Sequence, residues 1–307
     1  MKTIAVITLV LGLAATGAAA FRWYADHPHA FSMQQAPAAR DGVPIKVDDP
    51  TISARYGPFQ RSRSITSETD GLEQALAIRF TDAPMPPHSW HMPVLGNPRG
   101  VVIAIHGGSW FGVGEERLAT MDDEVARWNA RGYAVLNTSY RAGRESVVDV
   151  VRVYDAVRSW QGNGIPIGAI GASAGGHIAM ILAAQRPDLA FVVSEAGPTE
   201  PSALAETPQS RMVQDAAFRA FGDDVTGAMS PVAQAHRITS PLLLLTASED
   251  QVVPVAQMEA MVAARPSTIA IELEPGDQLW IHGAISLNAM DQLIRAENRL
   301  ADEAALS

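Results

Sequence analysis

A short run of small residues around Ser173 is the part of the sequence best suited to nucleophilic chemistry. It reads GASAGG at 171–176, where an apolar, strand-like segment ends and a helix-like segment begins. Between a strand and a helix, the pattern Gly-x-Ser-x-Gly forms a tight turn that presents the serine hydroxyl, and only small neighbours fit there. The pattern therefore predicts that Ser173 is a nucleophile. The alternative is a serine that caps a helix after a glycine-rich turn.

Glycines between a strand and a helix can also bind the phosphates of a dinucleotide cofactor. That function requires the spacing Gly-x-Gly-x-x-Gly. The glycines of this segment stand at positions 168, 171, 175 and 176, which do not have that spacing. We therefore predict no dinucleotide at this site.

A second glycine-containing segment, HGGSW at 106–110, follows another apolar strand-like segment. Glycines at such a position let backbone N–H groups approach a reacting carbonyl, and these donors stabilise the oxyanion of a tetrahedral intermediate. We expect an oxyanion hole formed by the N–H of Gly107 or Gly108 and by the N–H of Ala174. A glycine turn without a catalytic role is the alternative if this segment is considered alone.

The general base can be sought among eight histidines. They are His27, His29, His88, His91, His106, His177, His236 and His282. Along chains with a serine on such a turn, the order is serine, acid, histidine. His282 alone lies beyond the apolar segment at 241–248, in a loop that precedes the last predicted helix, as a mobile base requires. For His106 we expect a role in shaping its own loop, and for His177 a packing or capping role.

Asp250 is the predicted acid, because it follows the apolar segment LLLLTA and would leave the carboxyl end of a buried strand. There it would accept the ring N–H of His282, fix the tautomer and stabilise the imidazolium. The adjacent Glu249 should point the opposite way. Glu195, after the preceding strand-like segment, is the alternative acid.

The elements around these residues alternate between strand-like and helix-like segments. Strand-like segments occupy 75–80, 101–107, 134–140, 166–173, 191–197, 241–248 and 268–273. Amphipathic helical segments occupy 116–131, 145–161, 175–186, 255–265 and 284–305. This alternation predicts an α/β fold with a mostly parallel central sheet and helices on both sides. The interruption at about 199–240 shows several short helical patterns and no strand, so we predict that it is a small lid insertion.

The composition excludes several classes of partner and site. With 33 acidic and 23 basic residues the net charge is −10, which disfavours binding to nucleic acid. The absence of cysteine excludes disulfides and a cysteine nucleophile. We also predict no metal site, because the close histidine pairs 27/29 and 88/91 have no carboxylates near them at a strand end.

The N-terminus has the pattern of an export signal. A positive start at Met1-Lys2 precedes an apolar stretch that ends in three alanines at 18–20. We predict a signal peptide at 1–20 and an exported, periplasmic or secreted, protein. Retention of the segment as a membrane anchor is the alternative. Residues 21–70 are predicted to be an arm or linker, and 71–307 to form the catalytic domain.

Five segments in this order resemble the esterase and lipase group of the α/β-hydrolase superfamily with an HGG(G)-W oxyanion loop. They are HGGSW, SYRAG at 139–143, GASAGG, SEDQVVP at 248–254 and IHGA at 281–284. The resemblance covers about residues 75–300 and implies ester hydrolysis without a cofactor, through an acyl-enzyme. It implies the triad Ser173, Asp250 and His282. Ser109 replaces the third glycine of many relatives, and the sequence before His282 departs from their Gly-x-x-His-Gly.

The sequence thus predicts a carboxylesterase that acts on small to medium esters through a Ser-His-Asp triad. Its partner would be a small-molecule ester, and contact with a membrane would require a retained N-terminal segment. Trp110, Phe111 and Trp280 are candidate walls of the substrate pocket, although a core role suits each equally. Two alternatives remain: an amidase or formamidase with the same triad, and an inactive α/β-hydrolase scaffold that serves in binding.

Overall fold

The computed structural model describes residues 69–93, 98–112, 114–162 and 164–304 of the 307-residue chain. The predicted signal or anchor segment and nearly all of the predicted N-terminal arm lie outside these residues. Within the described ranges, no helix is long and apolar enough to cross a membrane.

The described residues form nine strands and seven α-helices. The strands are β1 (His88–His91), β2 (Val101–Ile105), β3 (Ala134–Thr138), β4 (Ile167–Ala172), β5 (Phe191–Glu195), β6 (Leu242–Ala247), β7 (Ile269–Leu273), β8 (Pro275–Trp280) and β9 (Gly283–Ile285). The helices are α1 (Thr69–Arg79), α2 (Asp122–Ala130), α3 (Glu145–Gln161), α4 (Ala174–Gln185), α5 (Pro208–Phe221), α6 (Val255–Ala264) and α7 (Leu287–Ala304).

Seven strands form the central sheet in the order β1-β3-β2-β4-β5-β6-β7. β1 pairs antiparallel with β3, and every other pair in this sheet is parallel. Strands β2 to β6 are buried along their whole length, as expected for parallel strands covered on both faces. Their carboxyl ends meet at one edge, where sites form in open α/β sheets.

Alternating side chains of these strands enter two separate cores. Ile103 faces the core that is covered by α1, α3, α4, α5 and α6, whereas Val102 and Ala104 face the core that is covered by α2 and α7. The protein is therefore a three-layer α/β structure with a mostly parallel sheet, as the sequence predicts.

The prediction of a strand at 75–80 is wrong, because residues 75–79 belong to helix α1 and Phe80 follows its end. Leu72, Leu76 and Phe80 are buried at a spacing of four residues, which is the spacing of one helix face. Ile78, which a strand would have placed on the same face as Leu76, is 70% exposed. Over so few residues, apolar side chains at helical spacing are hard to distinguish from the alternation of a strand.

Two further elements lie outside the predicted strand-like segments. The proline-rich segment around His88 contains the short edge strand β1, and His88 bonds to the carboxylate of Glu73 at 2.9 Å. Strands β8 and β9 form a hairpin outside the central sheet. Because β8 is exposed except near its end, it lacks the apolar run by which buried strands are detected.

The segment between β5 and β6, where a lid insertion is predicted, contains helix α5 and short 3-10 helices but no strand. The 3-10 helices are Pro201–Ala203, Gly222–Thr226 and Ala235–Arg237. Helix α5 begins with a capping box in which Thr207 and Ser210 satisfy each other's backbone N–H groups. The segment therefore carries regular structure of its own.

Candidate active site

Ser173 occupies a strained turn between β4 and α4. Its φ of +53° and ψ of −119° are rarely adopted by a residue with a side chain, and its N–H donates to the carbonyl of Glu195 at 2.8 Å. The turn leaves no room for larger neighbours. A Cβ on Gly171 would lie 2.2 Å from the carbonyl of Gly175, and one on Gly175 would lie 2.0 Å from the carbonyl oxygen of Ile105.

The side chains of Ser173, His282 and Asp250 form a continuous chain of hydrogen bonds. The hydroxyl of Ser173 lies 2.9 Å from Nε2 of His282, and Nδ1 of His282 lies 2.9 Å from a carboxylate oxygen of Asp250. A carboxylate only accepts, so Nδ1 carries the proton and Nε2 is free to accept from the serine. The structure thus brings together the three residues that the sequence singled out from different strand ends.

The acid and the base are each held by local structure. The second carboxylate oxygen of Asp250 accepts the backbone N–H groups of Val252 and Val253 at 2.8 and 2.9 Å, which fixes the side chain. His282 occupies the two-residue turn between β8 and β9, where Trp280 pairs with Gly283. The prediction of a mobile loop here needs correction: the histidine sits on a tight hairpin turn, and its side chain is only 3% exposed.

Glu195, the alternative acid, points elsewhere. It is fully buried and bonds to Arg127 at 2.5 Å, on the side of the sheet that is covered by α2 and α7. Burial raises the pKa of Glu195 well above its ordinary value, against the attraction of Arg127. Asp250, and not Glu195, is therefore the carboxylate in contact with His282.

The HGGSW segment lies against the serine, as an oxyanion loop requires. A Cβ on Gly107 would be 3.1 Å from the Cβ of Ser173. Among the described residues, no acceptor receives the N–H of Gly107 or of Gly108. Ala174 opens helix α4, where the first N–H groups have no partner within a helix. Gly107 and Ala174 therefore lie beside the nucleophile, and Gly108 follows Gly107 in the same loop.

His106 fixes the shape of this loop. Its Nδ1 lies 2.6 Å from the carbonyl of Gly107 and its Nε2 lies 3.0 Å from the hydroxyl of Ser139. Tyr140 stacks on its ring at 4.4 Å and donates to the carbonyls of His106 and Gly107. Burial lowers the pKa of His106 to about 4, so the ring is neutral near pH 7.

His177 connects the same loop to the insertion. Its Nδ1 accepts from Nε1 of Trp110 at 3.1 Å, so its Nε2 carries the proton and donates to the carbonyl of Met229 at 2.8 Å. Burial lowers the pKa of His177 to about 4. Trp110 has a positive φ of 60° and packs edge-on against His177 and Phe221. The sequence predicts a packing or capping role for His177, but it does not indicate Trp110 or Met229 as hydrogen-bond partners.

The three candidate pocket walls have different positions. Trp110 and Trp280 are buried in the two cores. Phe111 is half-buried and lines a cleft of about 270 Å³ together with Met85 and Tyr140. Of the three, Phe111 alone lines this cleft, and none of the triad residues does.

A comparison with models of protein families finds a match. The BD-FAE family model matches residues 92–264, which is more than half of the chain. The chain belongs to the BD-FAE family. This family lies in the α/β-hydrolase superfamily, in agreement with the fold. A search of curated protein sequences finds no significant match.

Solved structures show the same fold at low sequence identity. A truncated carbohydrate esterase from gut microbiota aligns with a TM-score of 0.60 and 17% identity, over 72% of this chain and 91% of that chain. Esterase 2 of Thermogutta terrifontis, phosphonylated by sarin, aligns with a TM-score of 0.59 and 16% identity, over 72% and 91%. A puromycin hydrolase complexed with PGG aligns with a TM-score of 0.60 and 21% identity, over 87% of this chain and 41% of that chain.

Proposed function

We propose that the protein is a serine hydrolase that cleaves carboxylic esters through an acyl-enzyme. The observation that carries the proposal is the pair of 2.9 Å contacts that join Asp250, His282 and Ser173, with the serine on a strained turn beside the HGG loop. In an activated serine, the nucleophile contacts a base, and a third group orients that base.

In the acylation step, the Ser173 oxygen attacks the ester carbonyl while Nε2 of His282 takes the hydroxyl proton. The negative charge on the carbonyl oxygen is stabilised by N–H groups of Gly107 or Gly108 and of Ala174. The tetrahedral intermediate collapses, the bond to the alcohol oxygen breaks, and His282 gives its proton to the departing alcohol. Asp250 stabilises the imidazolium in between.

In the deacylation step, His282 removes a proton from water, whose oxygen attacks the acyl carbon. The second intermediate then releases the carboxylic acid as the Ser173 oxygen recovers the proton from His282. The overall reaction consumes one ester and one water and yields an acid and an alcohol. It requires no group beyond these residues and the backbone donors.

Replacement of Ser173 by alanine tests this mechanism. We expect turnover of p-nitrophenyl esters of graded acyl length to fall by about 10⁴-fold or more in Ser173→Ala, with the fold intact by circular dichroism. Activity of Ser173→Ala within a few-fold of wild type would overturn the proposal. A matched anilide, turned over faster than any ester, would change the substrate class to amides.

The fold alone does not determine which substrate is hydrolysed. Proteins with this fold include the carbohydrate esterase and the puromycin hydrolase named above, so the assay has to include esters of both sugars and simple alcohols. A fluorophosphonate probe gives an independent readout, because it labels only an activated serine. Absence of both turnover and labelling in folded protein would favour a binding scaffold.

A further inference from the structure

Arg117 is a buried cation next to the oxyanion loop. It lies in the 3-10 helix Glu115–Met121 and is only 8% exposed. Its guanidinium carbon is 4.0 Å from the position that a Cβ on Gly108 would take. A positive charge therefore stands in contact with one of the two glycines whose N–H groups are proposed to bind the oxyanion.

No partner within the described ranges neutralises this charge. No carboxylate lies within ion-pair distance of Arg117, its side chain makes no hydrogen bond there, and its Nε is shielded from solvent without an acceptor. The other arginine that is buried to a similar degree, Arg131, pairs with Glu297 at 2.7 Å and also donates to Asn298. An unpaired buried charge is destabilising, so its presence requires an explanation.

The acid closest in sequence does not supply the missing partner. The carboxylate of Glu116 lies near Gly114, 2.7 Å from the position of a Cβ there, and makes no ion pair with Arg117. Both charges act on His106 of the oxyanion loop. Burial is the main reason for the low pKa of His106; the charge of Arg117 lowers that pKa further, and the charge of Glu116 raises it.

We propose that Arg117 binds a carboxylate carried by the ester substrate, so that the enzyme prefers anionic esters over neutral ones. This proposal rests on the proposed hydrolysis at Ser173. A guanidinium binds a carboxylate through two parallel hydrogen bonds, which would satisfy the nitrogens that have no partner in the protein. The position beside Gly108 places this recognition next to the reacting carbonyl.

Matched ester pairs that differ only in charge test the preference. One pair, 4-carboxyphenyl and 4-carbamoylphenyl butanoate, carries the charge on the alcohol side. The other, the mono-4-nitrophenyl ester of adipic acid and its ω-amide, carries it on the acyl side. We expect wild type to prefer the carboxylate in one pair by about tenfold or more in kcat/KM, and that pair identifies the side that Arg117 meets.

Arg117→Gln should abolish this preference by raising KM for the carboxylate ester about 10- to 100-fold while leaving the neutral ester unchanged. Arg117→Lys should retain part of the preference, because the charge remains and the two-pronged geometry is lost. The control is Arg99→Gln, at the amino end of β2, where Arg99 pairs with Asp302. Equal loss of kcat for both esters would assign Arg117 to oxyanion stabilisation and overturn substrate recognition.

A binding measurement separates this proposal from the proposed hydrolysis. In the Ser173→Ala background, one of the two carboxylate esters should raise the melting temperature, and its carboxamide partner should not; Arg117→Gln should remove the difference. If wild type fails to hydrolyse esters but this shift is present, the hydrolase proposal fails and the anion site stands. Turnover of neutral esters without discrimination in either pair would overturn the anion site alone.

Discussion

At the scale of single residues, the candidate site combines one residue placed by its own backbone turn with two residues held through hydrogen bonds to their side chains. Ser173 is placed by its own turn and by the N–H it donates to the carbonyl of Glu195. His282 is oriented by Asp250, which is itself held by two backbone N–H groups. Substitution of a residue that contacts the site should therefore displace the base or the oxyanion loop more than it displaces the nucleophile.

His177 offers a test of that idea for the oxyanion loop. His177→Phe keeps an aromatic ring but leaves the indole N–H of Trp110 and the carbonyl of Met229 buried without partners. We expect the free energy of unfolding to fall by about 2–4 kcal/mol, since each unsatisfied group costs about 1–3 kcal/mol. Because Trp110 belongs to the HGGSW segment, we also expect kcat for esters to fall while KM changes little.

Two conservative variants separate the contacts of His177. His177→Asn can still accept from Trp110, and should recover kcat more than stability. His177→Gln can reach the carbonyl of Met229, and should recover stability more than kcat. Urea unfolding and steady-state kinetics on the same preparations measure both. An equal loss of kcat in all three variants would show that the bond to Trp110 does not position the loop.

At the scale of elements, the insertion is tied to the site at both ends of helix α5. At the amino end, the hydroxyl of Thr207 donates to the carbonyl of Gln251, the residue after the acid. At the carboxyl end, Phe221 packs against Trp110 at 5.5 Å, and its carbonyl accepts from Arg144. These contacts favour a fixed wall that links the acid loop to the oxyanion loop over a lid that opens at a lipid surface.

A fixed wall predicts ordinary kinetics on sparingly soluble esters. With tributyrin, the rate should rise hyperbolically with concentration and show no jump when the solubility limit is passed. A lid that opens on an interface would produce such a jump. Activity measured on either side of the limit, with and without emulsification, decides between them, and a sharp increase in emulsion would contradict the fixed wall.

Elements with strong burial on both faces were predictable from the sequence, and weakly buried ones were not. Apolar runs predict strands β2 to β6, which are buried along their whole length, and also β7, which is partly exposed. The sequence does not predict the hairpin of β8 and β9, which carries His282, because most of β8 is exposed. It predicts a strand where helix α1 forms, because six residues are too few to separate a period of two from one near four.

The residues of the candidate site also differ in how well the sequence predicts them. Ser173 and Asp250 follow strands β4 and β6, so their neighbourhood follows from the order of a parallel sheet. His282 lies on a hairpin outside that sheet and is predicted from its place after the acid in the chain. Arg117 is different: in the sequence GEERLA it has the appearance of an ordinary surface charge. Its burial and its lack of a partner depend on which distant residues surround it, and no local pattern encodes that.

At the scale of the whole molecule, an acidic chain with a net charge of −10 contains a nearly neutral buried network. Glu124, Glu195 and Glu297 are all buried and surround the two arginines Arg127 and Arg131. Three carboxylates against two arginines would leave one negative charge. Burial raises the pKa of Glu195 and of Glu124, which favours a proton on this pair and brings the network closer to neutrality.

Two sets of groups then determine how stability depends on pH. His106 and His177, with pKa values of about 4 in the folded protein, take up protons more readily when unfolded, so their contribution is lost as pH falls below about 6.5. The Glu124–Glu195 pair binds its proton more tightly when folded. Its contribution is fully present below about pH 4.5 and declines as pH rises. Between about pH 4.5 and 6.5 the two histidines gain more stability with rising pH than the one proton of the pair loses, and above this range only the loss remains. Stability should therefore peak near pH 6.5.

Glu195→Gln tests the alkaline side of this profile. The amide can still accept from Arg127 and donate to Glu124, as the protonated acid does, but it cannot lose a proton. We expect wild type to lose up to about 1.4 kcal/mol per pH unit above the maximum, and Glu195→Gln to lose little over the same range. Urea unfolding from pH 5 to 10 measures both, with the exposed Asp291→Asn as the control. A parallel decline in wild type and Glu195→Gln would show that the buried pair carries no extra proton.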